Sequence, residues 1–214
     1  MNPDERLPLF PLGIVVYPGE PVPLHIFEFR YREMVRLCLE EQRAFGIVLM
    51  SDAKLAKVGC TVRIERVLKR YDDGRSDILC RGEQRFRIAQ VYREKPYLTA
   101  EAVGFEPDGA GVIDADTAAR ERLITQHMKL LEMAGEEIRP TAYQTATPIS
   151  FVVARNAGLE LDQKQDLLEM LTEKERLAFL TEHLESLLKR VSVMKEVKRR
   201  AQGDGYAGSL PSLE

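Results

Sequence analysis

The chain has 214 residues, 44% of them hydrophobic and 30% charged, with a formal net charge of −3. That length holds one large domain or two small ones with a proper core, and the composition excludes collagen-like, mucin-like and wholly disordered chains. The charge is too small to recruit nucleic acid or an anionic membrane by bulk field, and no apolar run reaches the roughly 18–20 residues of a membrane span.

The N-terminus, MNPDER, is acidic and bears proline where a secretory leader would carry a basic lead and an apolar core, so a cytoplasmic address is expected. Residues 7–16 read as a proline-punctuated extended start and 22–27 as a second strand. Tyr31, Met34, Val35 and Cys38 fall at offsets 0, 3, 4 and 7, one apolar stripe on a helix over 30–42. Further strands are expected at 44–50, 60–70, 77–81, 84–93 and 97–105. Asp73-Gly74 marks a hairpin between two of them, because Gly accepts the positive φ of the turn. In 84–91, Phe86 and Ile88 alternate with Arg85, Arg87 and Ala89, which predicts one inward and one wet face. The slip from Val62 and Ile64 to Val67 predicts a β-bulge at Glu65-Arg66.

At Pro107-Asp108-Gly109-Ala110-Gly111 the composition changes to Leu, Glu, Lys and Ala at helical spacing. This divides the chain into a β-rich domain at 1–106, an α-helical bundle domain at 112–202 and a flexible tail at 203–214 whose end has the look of a cloning remnant. Helices are predicted at 115–134, 148–157, 163–171 and 173–200. Gly135 and Gly158 stand at C-cap positions, Thr147-Pro148 has the form of an N-cap followed by Pro at the first helical position, and Thr172 with Glu175 makes a capping box. Leu177, Leu180, Leu184, Leu187, Val191 and Met194 form an apolar seam of coiled-coil type. Packing within a bundle is the favoured use of that seam; a homodimer through it stays open.

The chemistry that is missing narrows the function. No GxxxxGK[ST] loop occurs, so phosphate-loop ATP hydrolysis is excluded, and no G-x-S-x-G or HExxH pattern is present. His127 and His183 lie in charged helix text and read as solvated; His25, in the apolar run 23–27, reads as a hydrogen-bonded structural residue. Cys38, Cys60 and Cys80 have no CxxC pairing and no neighbouring histidine, and read as buried thiols. Neither a metal nor a cofactor is expected, and the protein is expected not to be an enzyme.

Leu7-Pro8-Leu9-Phe10-Pro11-Leu12, Tyr17-Pro18-Gly19, Pro23-Leu24-His25-Ile26-Phe27-Glu28 and Arg30-Tyr31 stand in one order. They are followed by Gly46-Ile47-Val48-Leu49, Gly59, Asp73-Gly74-Arg75, Gly82 with Arg85-Phe86-Arg87-Ile88, and Tyr97-Leu98 with Ala100-Glu101. This series resembles the N-terminal, substrate-binding domain family of Lon proteases, and the helical text at 159–188 resembles that family's C-terminal bundle. The resemblance implies an α+β fold: a PUA-like β pseudo-barrel with one main helix, then an α-helical bundle. It also implies a standalone substrate-binding domain, without the family's ATPase and peptidase modules. One departure is that Phe29 stands where the family commonly has Pro in its F-E-P-R-Y element.

The function expected from this resemblance is non-catalytic binding of unfolded or exposed polypeptide segments, with a separate ATPase or protease as a further partner. The candidate contact patch is Tyr17, Pro21 and Phe29 beside Tyr71 and Tyr92. The alternative is a PUA-like RNA-binding module: residues 63–95 hold ten Lys or Arg against six Asp or Glu, and Arg85 and Arg87 would present one strand face to phosphates. Nucleic acid is the less favoured partner, since the neighbouring acids can pair those arginines, and no membrane partner is expected.

Overall fold

Apolar side chains alternate in some strands of the first hundred residues and run continuously through 45–49, which is buried on both faces, and pairing the strands into one sheet hides both the backbone polar groups and the apolar faces. The strands are β1 (Leu7–Leu12), β2 (Pro21–Ile26), β3 (Phe45–Ser51), β4 (Lys54–Arg70), β5 (Ser76–Tyr92) and β6 (Thr99–Gly104). The helices are α1 (Phe29–Glu40), α2 (Thr117–Ala134), α3 (Ile149–Ala154), α4 (Leu161–Glu169) and α5 (Glu173–Gly203). This is a computed structural model that describes residues 6–105, 117–144 and 148–203. The punctuation at 107–111, the Thr147 cap and the tail beyond Gly203 lie outside the described residues.

The strand order is β2-β5-β4-β3-β1-β6, and β5 also pairs with β6. The sheet therefore closes on itself through the long β5, whose first half pairs with β2 and whose second half pairs with β6. β1 and β3 run parallel and the other pairings are antiparallel. β2 is the outermost strand and carries Pro21 and Pro23, which lack N–H donors and so blunt its open edge against an added strand.

Two strands expected separately, 77–81 and 84–93, are one strand. Gly82 does not break it. A Cβ there would meet the Tyr17 carbonyl oxygen at 2.1 Å, so Gly82 serves the close approach of the β1–β2 connection, and Gly82 N–H donates to Glu20 O at 2.9 Å. The expected bulge is present, as a register shift between Ile64 and Arg66. α1 lays its predicted stripe of Tyr31, Met34, Val35 and Cys38 on a cluster holding Phe45, Ile47, Val62 and Ile78. All three cysteines are buried, and burial pushes the Cys38 thiol to about 11 and those of Cys60 and Cys80 to about 12.

The helices pack through α3 and the first half of α5 onto a core that also takes Val15, Tyr17, Val58 and Phe105 from the β-rich half. Gly135 and Gly158 have φ of +75° and +71°, as helix-terminating glycines require. The Thr172 and Glu175 box is formed in both directions, with Thr172 N–H to Glu175 Oε2 at 2.9 Å and Glu175 N–H to Thr172 Oγ1 at 3.2 Å. Pro148 is itself the N-cap of α3, not its first helical residue.

Two expectations are corrected. His127 is not solvated: it is buried, with Nδ1 2.9 Å from the Tyr143 hydroxyl and Nε2 2.8 Å from Asn156 Oδ1. The seam of α5 is buried only through Leu184 and half-buried to Val191, while Met194 is 71% exposed.

Candidate functional site

α1 has two faces. Its core stripe leaves Phe29, Arg32, Glu33, Arg36 and Glu40 on the opposite side, again at helical spacing. Glu28 is the extended N-cap, and the helix opens on Phe29, a residue 72% exposed.

Facing this side is the tip of the β4–β5 hairpin. Its turn is closed by Tyr71 N–H to Arg75 O (3.0 Å) and Gly74 N–H to Tyr71 O (2.9 Å), with Gly74 at φ +84°. Asp73 accepts the Arg75 main-chain N–H at 3.1 Å and its Nε–H at 2.6 Å; the first of these chiefly holds the Asp73 carboxyl below its ordinary range. Arg32 ties helix to hairpin by donating to Asp73 O at 2.5 Å.

Tyr71 is fixed from behind. Its hydroxyl donates to Asp77 Oδ2 at 2.8 Å, and Asp77 Oδ1 lies 2.5 Å from His25 Nδ1. The His25 contact first, and the Tyr71 hydroxyl second, hold the Asp77 carboxyl below its usual value. The Lys69 ammonium and Arg75 guanidinium lie 4.5 and 5.1 Å from the Tyr71 ring centre, and Phe27, 58% exposed, stacks on His25 at 6.0 Å.

Between helix and hairpin runs a groove of about 720 Å³. Val35, Leu39 and Val67 form its apolar floor, Phe29 and Tyr71 flank it, and Arg36, Glu40 and Arg70 stand on its rim. An aromatic that projects into solvent beside an apolar floor can anchor an apolar side chain, and the charged rim can orient what lies across it.

Of the expected contact residues, the structure brings Phe29 and Tyr71 together in this groove. Tyr17 is 1% exposed, stacked on Phe151 at 5.6 Å with its hydroxyl donating to Lys164 O at 3.1 Å, so it joins sheet to helices and cannot touch a ligand; burial raises its phenol. Pro21 lies on a separate cleft of about 320 Å³ with Ile14, Glu20 and Lys164. Tyr92 sits at the end of β5 under the Arg6 guanidinium, 3.4 Å from its ring centre.

The wet arginine face is likewise corrected. Arg85 is 1% exposed and donates to Leu168 O (2.8 Å) and Met170 O (2.6 Å). The carbonyls at the C-terminal end of α4 need donors, and a guanidinium projecting from the sheet supplies them. Arg87 is exposed, with its guanidinium 4.8 Å from the Phe105 ring centre. Phe27, Val67 and Arg70 were not anticipated. The second stripe of α1 was available from its spacing, but the hairpin opposite it is fixed only by the fold.

Among the described residues no group of three or more His, Cys, Asp or Glu is placed to hold a metal, and no helix is long and apolar enough to cross a membrane.

Comparison with known proteins fits this geometry into a family. The family described as the ATP-dependent protease La (LON) substrate-binding domain matches residues 6–186. Lon protease 2 of Herpetosiphon aurantiacus is 28% identical over 193 residues, covering 82% of this chain and 23% of that protein. Lon protease of Trichlorobacter lovleyi is 28% identical over 214 residues, covering 92% and 26%. The chain thus spans about a quarter of the length of the curated relatives it matches. A Lon N-terminal domain protein from Xanthomonas campestris superposes with a TM-score of 0.62 at 28% identity, covering 81% of this chain and 95% of that one. The N-terminal domain of a Mycobacterium avium complex Lon protease gives 0.67 at 20% identity, over 85% and 98%, which is a likeness of fold.

Proposed function

The chain belongs to the LON substrate-binding domain family, and from that premise we propose that it binds unfolded or exposed polypeptide segments in the groove between α1 and the β4–β5 hairpin. The protein holds such a segment without cleaving it. ATP-dependent proteolysis is a property of the much longer relatives, and a separate ATPase or protease is the partner that would use what this chain binds. The closed sheet is read as a PUA-like pseudo-barrel and the helices as the bundle that braces it.

One observation carries the reading: Phe29 is 72% exposed and flanks, with the hydrogen-bonded Tyr71, an apolar floor. Leaving a large aromatic in water is costly unless a partner covers it, and an aromatic of this kind typically contributes about 1–3 kcal/mol to an interface. The nucleic-acid alternative is not carried forward, because Arg85 is inside the protein and Arg63 and Arg81 are paired with Glu83 and Glu65.

Titration of a fluorescent unfolded polypeptide tests this. Phe29→Ala is expected to weaken binding by about 1–3 kcal/mol and leave the melting temperature nearly unchanged. Unchanged affinity in a folded Phe29→Ala protein would remove the groove from the binding surface.

A further inference from the structure

We propose that the groove selects segments in which an apolar or aromatic side chain lies close to a carboxylate, the apolar group on the floor and the carboxylate at Arg70. This rests on the groove reading above and names the class of segment it takes.

The rim charges decide it. Four arginines, Arg32, Arg36, Arg70 and Arg75, line the groove against two glutamates, Glu33 and Glu40. Two of the arginines are already neutralised: Arg36 by Glu40 at 2.7 Å and Arg75 by Asp73 at 2.6 Å. Arg32 donates to a neutral acceptor, the Asp73 carbonyl, and its Nε is buried with no hydrogen-bond partner among the described residues. The Arg70 guanidinium has no ion-pair partner among them, and it is exposed at the end of β4, next to Tyr71. Of the two lining acids, Glu40 is held by Arg36 and Glu33 has no ion pair among the described residues. Two guanidiniums thus face the groove without a dedicated carboxylate, against one acid, and the surplus is positive.

An exposed arginine alone would be a solvated surface residue. Here it stands beside an aromatic-flanked apolar floor, so a ligand that places an apolar group on the floor brings its neighbouring residues to Arg70. A carboxylate there forms a charge-assisted pair, partly shielded by the bound chain, whereas an amine meets the same guanidinium as a like charge. A polynucleotide is disfavoured at this site, since its repeating phosphates would run past Glu33, Glu40 and the Asp73 carboxylate as well as the arginines. A single carboxylate needs only the one guanidinium of Arg70.

The experiment uses the full chain and three short fluorescein-labelled peptides that share one aromatic-apolar core and differ at one adjacent residue, Glu, Gln or Lys. The Glu peptide is expected to bind about three- to tenfold more tightly than the Gln peptide at low salt, with the Lys peptide weakest. Arg70→Gln should bring the three affinities within about twofold of one another, and Phe29→Ala should weaken all of them. Equal binding of the Glu and Gln peptides to the unaltered protein, with Phe29→Ala still weakening both, overturns the charge selection and leaves the groove reading standing. Binding that neither substitution alters overturns both. Displacement of the Glu peptide by a single-stranded oligonucleotide, with steep loss at higher salt, overturns the polypeptide assignment in favour of nucleic acid.

Discussion

Ala53 is held at φ +61°, next to Asp52 at φ +47°, in the tight turn that joins β3 to β4. Both residues are left-handed because a two-residue hairpin turn needs positive φ to match the strand twist. For Ala the conformation costs roughly 1–2 kcal/mol, and Gly adopts it freely at an entropic cost of about 0.5–1 kcal/mol. Ala53→Gly is therefore expected to stabilise the protein by about 0.5–1 kcal/mol, raising the melting temperature by about 1–4 °C in a calorimetric scan. Gly82 is the opposite case. The Cβ of an alanine would meet the Tyr17 carbonyl oxygen at 2.1 Å, and a backbone atom cannot rotate away. Gly82→Ala should cost roughly 2–3 kcal/mol, read as a lower urea midpoint at unchanged slope. The turn at Asp52-Ala53 carries no glycine, so its strained φ values were invisible in the sequence. Gly82 was visible but looked like a strand break, because what fills the space beside it is a carbonyl from a loop more than sixty residues earlier.

His127 shows what a helix pattern cannot reveal. Its place on α2 follows from spacing, yet its partners Tyr143 and Asn156 come from a 3-10 turn (Pro140–Tyr143) and from just beyond the C-cap of α3. Burial lowers its imidazole below the ordinary value, partly offset by the Asn156 hydrogen bond. The unfolded chain therefore binds a proton that the folded chain refuses. This contribution to stability is fully present above the unfolded value of about 6.5 and is lost as pH falls through the lowered folded value. Urea midpoints at successive pH values below about 6.5 should fall for the native sequence, and His127→Gln should flatten that fall even if it lowers stability throughout. Elsewhere the elements were legible: the α1 stripe, the bulge at Glu65-Arg66 and the Thr172 box all depend on local spacing or local hydrogen bonds. The site was half legible. Phe29 stood out by its departure from a proline, but Tyr17 and Arg85 were placed wrongly, since each is covered by helices that local periodicity cannot dock onto the sheet.

The division of the whole chain at 107–111 is proposed from composition, and the shared core sets what it would mean. Val15, Tyr17, Val58 and Phe105 lie in one cluster with Phe151, Leu167, Leu177 and Leu180. Limited proteolysis is expected to cut first between 106 and 116. The two pieces should then elute together under native conditions, because separating them would bare this cluster and Arg85; separate elution of two folded pieces would contradict it. The join also has a mechanical side. α5 is 31 residues long, about 46 Å, and its outer turns expose Val193, Met194 and Val197 and are tied back by Lys195 Nζ to Met133 O at 2.7 Å. At its root, Met170 O accepts both from Arg85 of β5 at 2.6 Å and from Arg176 of α5 at 2.9 Å, while Glu173 takes the Ser150 main-chain N–H and hydroxyl of α3 at 3.0 and 2.5 Å. A load applied to the outer end of this lever would be shared at the root between β5, through the Met170 oxygen, and α3, through Ser150. The same strand runs on, about 30 Å, to Ser76 in the groove, which gives a tug on α5 one continuous backbone route toward the place where a substrate is proposed to be gripped.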